Sequence, residues 1–106
     1  MGSLRLRTRR DGDTSIVSLS GELDLATVPD LRAAALSELS ECIVLVLDLA
    51  DLSFVDSTGL GCWIELRNRA EEVGKTLTLE SVPPAALRTV AVAGLAGVFG
   101  LDGAAG

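Results

Sequence analysis

Apolar and polar positions alternate in the first stretch of the chain. Leu4, Leu6 and Thr8 fall on one side and arginines on the other, the period-two pattern of a half-buried strand. Asp11-Gly12-Asp13 reads as a turn, and Thr14 to Ser20 as a second strand with Val17 and Leu19 on one face and Ile16 on the other. The short Asp-Gly connection predicts an antiparallel hairpin. Gly21-Glu22-Leu23-Asp24 ends the second strand. From about Val28 to Ser40 the period becomes helical. Val28, Leu31, Ala35 and Leu39 form one stripe, Thr27 stands as N-cap and Pro29 sits in the first turn. Cys42 to Leu47 is a continuous apolar run of strand length, expected where both faces of a strand are covered. Asp48 to Val55 then carries the chain to a corner, Asp56 to Gly61.

A second helix is predicted from about Thr58 to Val73, stopped by Gly74. At 100° per residue, Cys62, Trp63, Leu66, Ala70 and Val73 share one stripe and are assigned to the core. Leu60 and Ile64 fall at its margin beside Arg67 and Glu71, either as core edge or as apolar residues shown to a partner. Lys75 to Val82 predicts another strand, with Leu77, Leu79 and Val82 buried, and Pro83-Pro84 opens a third helix (Ala85 to Ala93) ended by Gly94. The Gly- and Ala-rich tail from Leu95 suits one short helix or a strand around Val98–Leu101, with fraying over 102–106.

This order of elements predicts an α/β fold. Its small, mixed, mostly parallel sheet has an antiparallel first edge strand, and its helices lie in right-handed β-α crossovers. A single domain spans 1–106, with 4–101 as its folded core. In open sheets of this kind functional loops lie at the carboxyl ends of the strands, which singles out Gly21–Ala26 and Asp56–Gly61.

Charge narrows the partners. The net charge is −6, but four arginines crowd the first ten positions. Residues 11–106 hold five basic against fifteen acidic residues, a net of −10. Such a body disfavours nucleic acid, whose phosphates call for lysine and arginine. The uncharged segment Val90 to Leu101 has twelve residues with three glycines, short of the ~20 that a membrane span needs. No secretory leader follows Met1. Cys42 and Cys62, without any histidine, suggest neither a disulfide framework nor a zinc site. Both read as small buried hydrophobes in a reducing cytoplasm.

The corner Asp56-Ser57-Thr58-Gly59-Leu60-Gly61 carries the candidate chemistry. Two glycines in a helix start each cost about 0.8–1 kcal/mol relative to alanine, so stability alone does not select them. A nucleophile elbow needs G-x-S-x-G, and position 55 is valine. With no histidine to act as base, catalysis is not expected. No P-loop is present. A metal held between Asp24 and Asp56 is conceivable, although nothing in the spacing demands it. Ser57 fits better as a phosphate acceptor at the positive end of a helix, next to the charge of Asp56. Asp-Ser-Thr before a helix is also plain N-cap chemistry, which leaves the glycines unexplained.

These residues resemble a known family. Leu52-Ser53-Phe54-Val55-Asp56-Ser57-Thr58-Gly59-Leu60-Gly61 looks like the signature of the STAS domain in bacterial anti-sigma factor antagonists. Gly21-Glu22-Leu23-Asp24 before a helix is similar to that family's earlier motif, and Leu87 to Phe99 to its C-terminal helix and turn. The resemblance implies a binding protein, not an enzyme, that needs no cofactor or metal. Its partner would be an anti-sigma factor that is also a serine kinase; binding releases the sigma factor. Phosphorylation at Ser57, or at Thr58 as second choice, would end binding, and a phosphatase would restore it. Glu22, Asp24, Asp56, Ser57, Thr58, Gly59, Leu60 and Gly61 would form the partner surface. Many relatives continue through a further strand and helix, so the chain's early end favours a partner or self-association at the third helix. The alternative is a STAS adaptor or scaffold that is never phosphorylated, or a module for a small anionic ligand.

Overall fold

The alternation at the start of the chain does form a hairpin. β1 (Leu4–Asp11) pairs antiparallel with β2 (Thr14–Leu23), Leu6 opposite Leu19 and Arg7 opposite Ser18. The computed structural model describes residues 3–92 together with 94, 97 and 99. After the hairpin come α1 (Val28–Leu39), β3 (Val44–Val55), α2 (Ser57–Glu72), β4 (Thr76–Glu80) and α3 (Pro84–Val92). The four strands lie in the order β1-β2-β3-β4, with β2, β3 and β4 parallel. This is the mixed sheet that the sequence predicts, with one antiparallel edge.

Register sorts the side chains. Val17 stands opposite Leu47, Leu45 opposite Leu77 and Leu47 opposite Leu79, so one face of the sheet is a continuous apolar surface. Val28, Leu31, Ala35 and Leu39 of α1, Cys62, Trp63, Leu66 and Ala70 of α2, and Ala86 and Val90 of α3 join that surface in a single core. Each fully buried leucine contributes about 1.5–3 kcal/mol of transfer free energy, so this layer dominates stability. Phe99 meets Trp63 edge-on, with ring centroids 6.5 Å apart. Arg32 of α1 grips Glu65 of α2 with Nε and Nη2 at 3.0–3.2 Å. Cys42 and Cys62 are buried free thiols, and burial pushes Cys62 up to about 11, which keeps it protonated.

Several boundaries differ from expectation. β2 runs on through Gly21 to Leu23 instead of ending at Ser20, because Leu23 is buried and pairs with Val55. Gly21 makes this continuation possible. It has φ +108 beside a register shift, and a Cβ there would lie 2.3 Å from the Ser3 carbonyl oxygen. β3 takes in Asp48 to Val55, which makes it a twelve-residue strand. Its two faces are not equally covered: among the described residues all three helices join the core on one face. Val46, on the other, stands outside that core, flanked by Ile16 and Thr78.

Val73 is exposed, not core. The helix stops at Glu72 and Val73 leaves helical geometry, so the 100° projection no longer applies to it. β4 is shorter than Lys75–Val82. The Lys75 ammonium instead donates to the Leu39 carbonyl at the end of α1, and Ser81 turns with φ 55. Thr27 occupies the N-cap position without capping: its hydroxyl donates to the Glu22 carbonyl at 2.9 Å and accepts from the Asp24 N–H. Arg10 lies on the leucine side of β1, where it pairs with Glu38 and Glu41. The expected tail element around Val98–Leu101, Phe99 apart, and the fraying over 102–106 fall outside the described residues.

Candidate functional site

Parallel pairing of β2 with β3 brings the two singled-out loops to one end of the sheet. Leu23 pairs with Val55, and the Asp56 N–H donates to the Leu23 carbonyl at 3.2 Å. Asp56 sits in extended geometry (φ −104, ψ −174) and is the N-cap of α2. Its Oδ1 accepts from the Gly59 N–H at 3.0 Å and from the Thr58 hydroxyl. Burial pushes the Asp56 carboxyl up, but donors outweigh it: the Thr58 hydroxyl and the backbone N–H groups of Gly59, Thr58 and Leu25 hold it below the usual aspartate value. Leu25 belongs to the other loop, and with the Asp56 N–H bonded to the Leu23 carbonyl, Asp56 stands where the two corners meet.

Asp24 plays a parallel role in its own turn. Its Oδ1 accepts from the N–H groups of Ala26 (3.0 Å) and Thr27 (3.1 Å), an Asx turn that shapes the loop into α1. Both aspartates are thus engaged with backbone donors. Among the described residues no group of three or more potential ligands gathers to hold a metal.

Helix α2 begins one residue earlier than the spacing suggested. Ser57 is its first residue and not its cap. Ser57 is exposed, and among the described residues its hydroxyl takes part in no hydrogen bond; Thr58 is half-buried with its hydroxyl committed to Asp56. Glu22 is half-buried opposite Phe54.

The two glycines of the corner separate. A Cβ on Gly59 would lie 2.6 Å from Val55 Cγ2 and 2.9 Å from Leu23 Cγ, so Gly59 lets α2 sit down on the strand ends. A Cβ on Gly61 would meet nothing within 4 Å, and Gly61 is exposed. Only Gly61 keeps the outer approach open. Leu60 is 4% exposed and joins the core, which settles it as packing and withdraws its side chain from the surface. Ile64 is half-buried.

Two residues at this end went unflagged. Leu25, in the loop after Asp24, is 74% exposed, and Phe54, two positions before Asp56, is 50% exposed. Leu25 carried a signal as a large apolar residue inside a polar turn, but Phe54 did not: strict alternation puts it on the face of the buried Leu52, and its exposure comes with the register shifts of β3 against β2. None of the helices among the described residues is long and apolar enough to cross a membrane.

Comparison with known proteins agrees with this architecture. The family model described as "Mlab, STAS domain" matches residues 6–101. The anti-sigma-B factor antagonist of Listeria monocytogenes is 38% identical over 69 residues, which is 60% of this chain and 60% of that protein. The anti-sigma-B factor antagonist of Bacillus subtilis is 28% identical over 86 residues, 81% of this chain and 79% of the other. A crystal structure of an anti-sigma factor antagonist from Mycobacterium paratuberculosis superposes with a TM-score of 0.82 at 26% identity, covering 92% of this chain and 83% of that one.

Proposed function

The chain belongs to the STAS domain family, and from that premise we propose that it is an anti-sigma factor antagonist. It binds an anti-sigma factor that is itself a serine kinase and so frees a sigma factor for transcription. Phosphorylation at Ser57 ends the binding, and a phosphatase restores it. The exchange takes place in the cytoplasm, and ATP belongs to the kinase. This chain contributes a surface and an acceptor hydroxyl, not catalysis.

The observation that carries the choice of acceptor is the contrast between the two hydroxyls of the corner. Ser57 is exposed at the start of α2, while the Thr58 hydroxyl is spent on Asp56. A kinase reaches Ser57 without dismantling the cap. Glu22, Asp24 and Asp56 give the docking surface its charge, Gly61 its clearance, and Leu25 and Phe54 its apolar contact.

The test is direct. Incubated with its cognate kinase and ATP, the protein gains phosphate at Ser57 by peptide mass spectrometry. Ser57→Asp weakens kinase binding and keeps the wild-type melting temperature. Labelling that persists in Ser57→Ala would overturn the assignment and move it to Thr58. Stable kinase binding without any labelling would favour the adaptor that is never phosphorylated.

A further inference from the structure

The sheet face away from the helices carries a charge pattern that the Ser57 corner does not use. Strand pairing builds rows across it. One row reads Arg7, Ser18, Asp48, Glu80 from β1 to β4, and the next reads Arg5, Ser20, Asp51. A third reads Arg9, Ile16, Val46, Thr78. Every row begins with arginine at the β1 edge, and the first two end in carboxylates. Arg5, Arg7, Ser18, Ser20, Asp48 and Asp51 line an open groove of about 400 Å³ on this face. The ion pairs of the described residues involve Arg10, Arg32 and Arg67, so Arg5, Arg7 and Arg9 have no carboxylate partner among those residues.

We infer that this face binds a second copy of the chain. A two-fold axis parallel to the strands, midway between β2 and β3, lays β1 of each copy over β4 of the other and β2 over β3. Each row then meets itself reversed. Arg7 of one copy falls over Glu80 of its mate, Arg5 comes within side-chain reach of Asp51, and Ile16 faces Val46. The contact is isologous, with each pair made twice, as two-fold symmetry requires. Rotation about an axis across the strands would set arginine on arginine, so the charge pattern selects one geometry. An acidic peptide or nucleic acid suits the face poorly, because Asp48 and Asp51 line the same groove as the arginines. Helix α2, which starts at Ser57, packs on the opposite face, so the dimer leaves Ser57 free, with Glu22 and Phe54 just beyond the Ser20–Asp51 row.

Strands about 4.8 Å apart with a rise of about 3.3 Å per residue give a footprint of roughly 400 Å² per copy. That is about half of the ~800 Å² per partner in a standard stable interface. The dimer is therefore weak, held largely by charge, and sensitive to salt.

Sedimentation velocity on the intact protein up to sub-millimolar concentration tests this. Dimer is expected at about 0.02 M salt, with association weakened at least tenfold at about 0.5 M as screening shortens the range of the pairs. Arg5→Glu/Arg7→Glu should sediment as monomer, and so should Asp51→Arg/Glu80→Arg, each with a wild-type circular dichroism spectrum and melting temperature. An equimolar mixture of the two variants should recover a dimer, because one face is then acidic and the other basic. Wild type that stays monomeric at low salt overturns the inference. So does a dimer that survives in folded Arg5→Glu/Arg7→Glu, or a mixture of folded variants that stays monomeric.

Discussion

Alanine in place of each corner glycine should move stability in opposite directions. At position 59 the added methyl lands 2.6 Å from Val55 Cγ2 and 2.9 Å from Leu23 Cγ. Both neighbours are buried, Leu23 at 0% and Val55 at 5% exposure, and they are paired to each other in the sheet. Neither can swing aside without moving a strand end, so overpacking should cost about 1–3 kcal/mol. Helix propensity returns at most about 1 kcal/mol, and less in a first turn. The net for Gly59→Ala is a loss of about 1–2 kcal/mol. At position 61 the methyl meets nothing within 4 Å, so only the propensity acts and Gly61→Ala should gain about 0.5–1 kcal/mol. For a domain of this size 1 kcal/mol corresponds to about 4–8 °C in melting temperature. Urea titration and thermal melts of both variants provide the check. Shifts of the same sign, or a Gly59→Ala variant as stable as wild type, would refute the packing argument.

Removing the cap and removing the apolar contacts should separate stability from binding. Asp56→Ala is expected to cost about 0.5–2 kcal/mol at neutral pH, through loss of the bonds to Gly59 and Thr58. The Asp56 carboxyl is held below its ordinary value, so its contribution is full above about pH 3.9 and fades as pH falls through the folded value. Urea midpoints of wild type and Asp56→Ala should therefore converge as pH falls below about 3.9, and a constant gap would contradict the assignment. Leu25→Ser with Phe54→Ser should leave the melting temperature within a few degrees of wild type and weaken kinase binding at least tenfold by calorimetry. Unchanged affinity would remove both residues from the docking surface.

Local rules made most of the fold legible. The hairpin followed from alternation around Asp11-Gly12-Asp13, and all four predicted stripe residues of α1 are buried. Local rules failed where a residue answers to a distant partner. Gly21 looks like a strand end, yet it accommodates a register shift against β3 and the close approach of Ser3. Lys75 looks like the start of a strand, but its ammonium reaches the end of α1. Gly59 and Gly61 look alike because nothing local reveals that only the first faces Leu23 and Val55. Leu25 and Phe54 escaped notice because an isolated apolar residue in a loop or strand gains meaning only when folding sets the two at the same end of the sheet. The rows of the open face were hidden for the same reason. Arg7 and Glu80 are far apart in sequence, and only four-stranded pairing sets them in one line.

The cap geometry also bears on how a phosphate at Ser57 would act. A helix start normally welcomes an anion through its free N–H groups and its dipole. Here the Asp56 carboxylate already holds the Gly59 N–H and the Thr58 hydroxyl. Part of that stabilisation is thus already taken up by a first anion one residue away. The phosphate would break no hydrogen bond of the described residues, because the cap runs through Asp56 and not through the Ser57 hydroxyl. Its charge of about −1.5 to −2 would stand outward, beside Asp56 and uncompensated. Two unit charges about 4 Å apart repel by about 1 kcal/mol in water and about 4 kcal/mol at an effective dielectric of 20. An acidic or closely packed group of a docked partner would meet repulsion in that range, about fivefold to a thousandfold in affinity. The proposed switch would therefore work through surface charge on an unchanged fold. It also follows that Ser57→Asp, with about one charge, should weaken binding less than phosphate does.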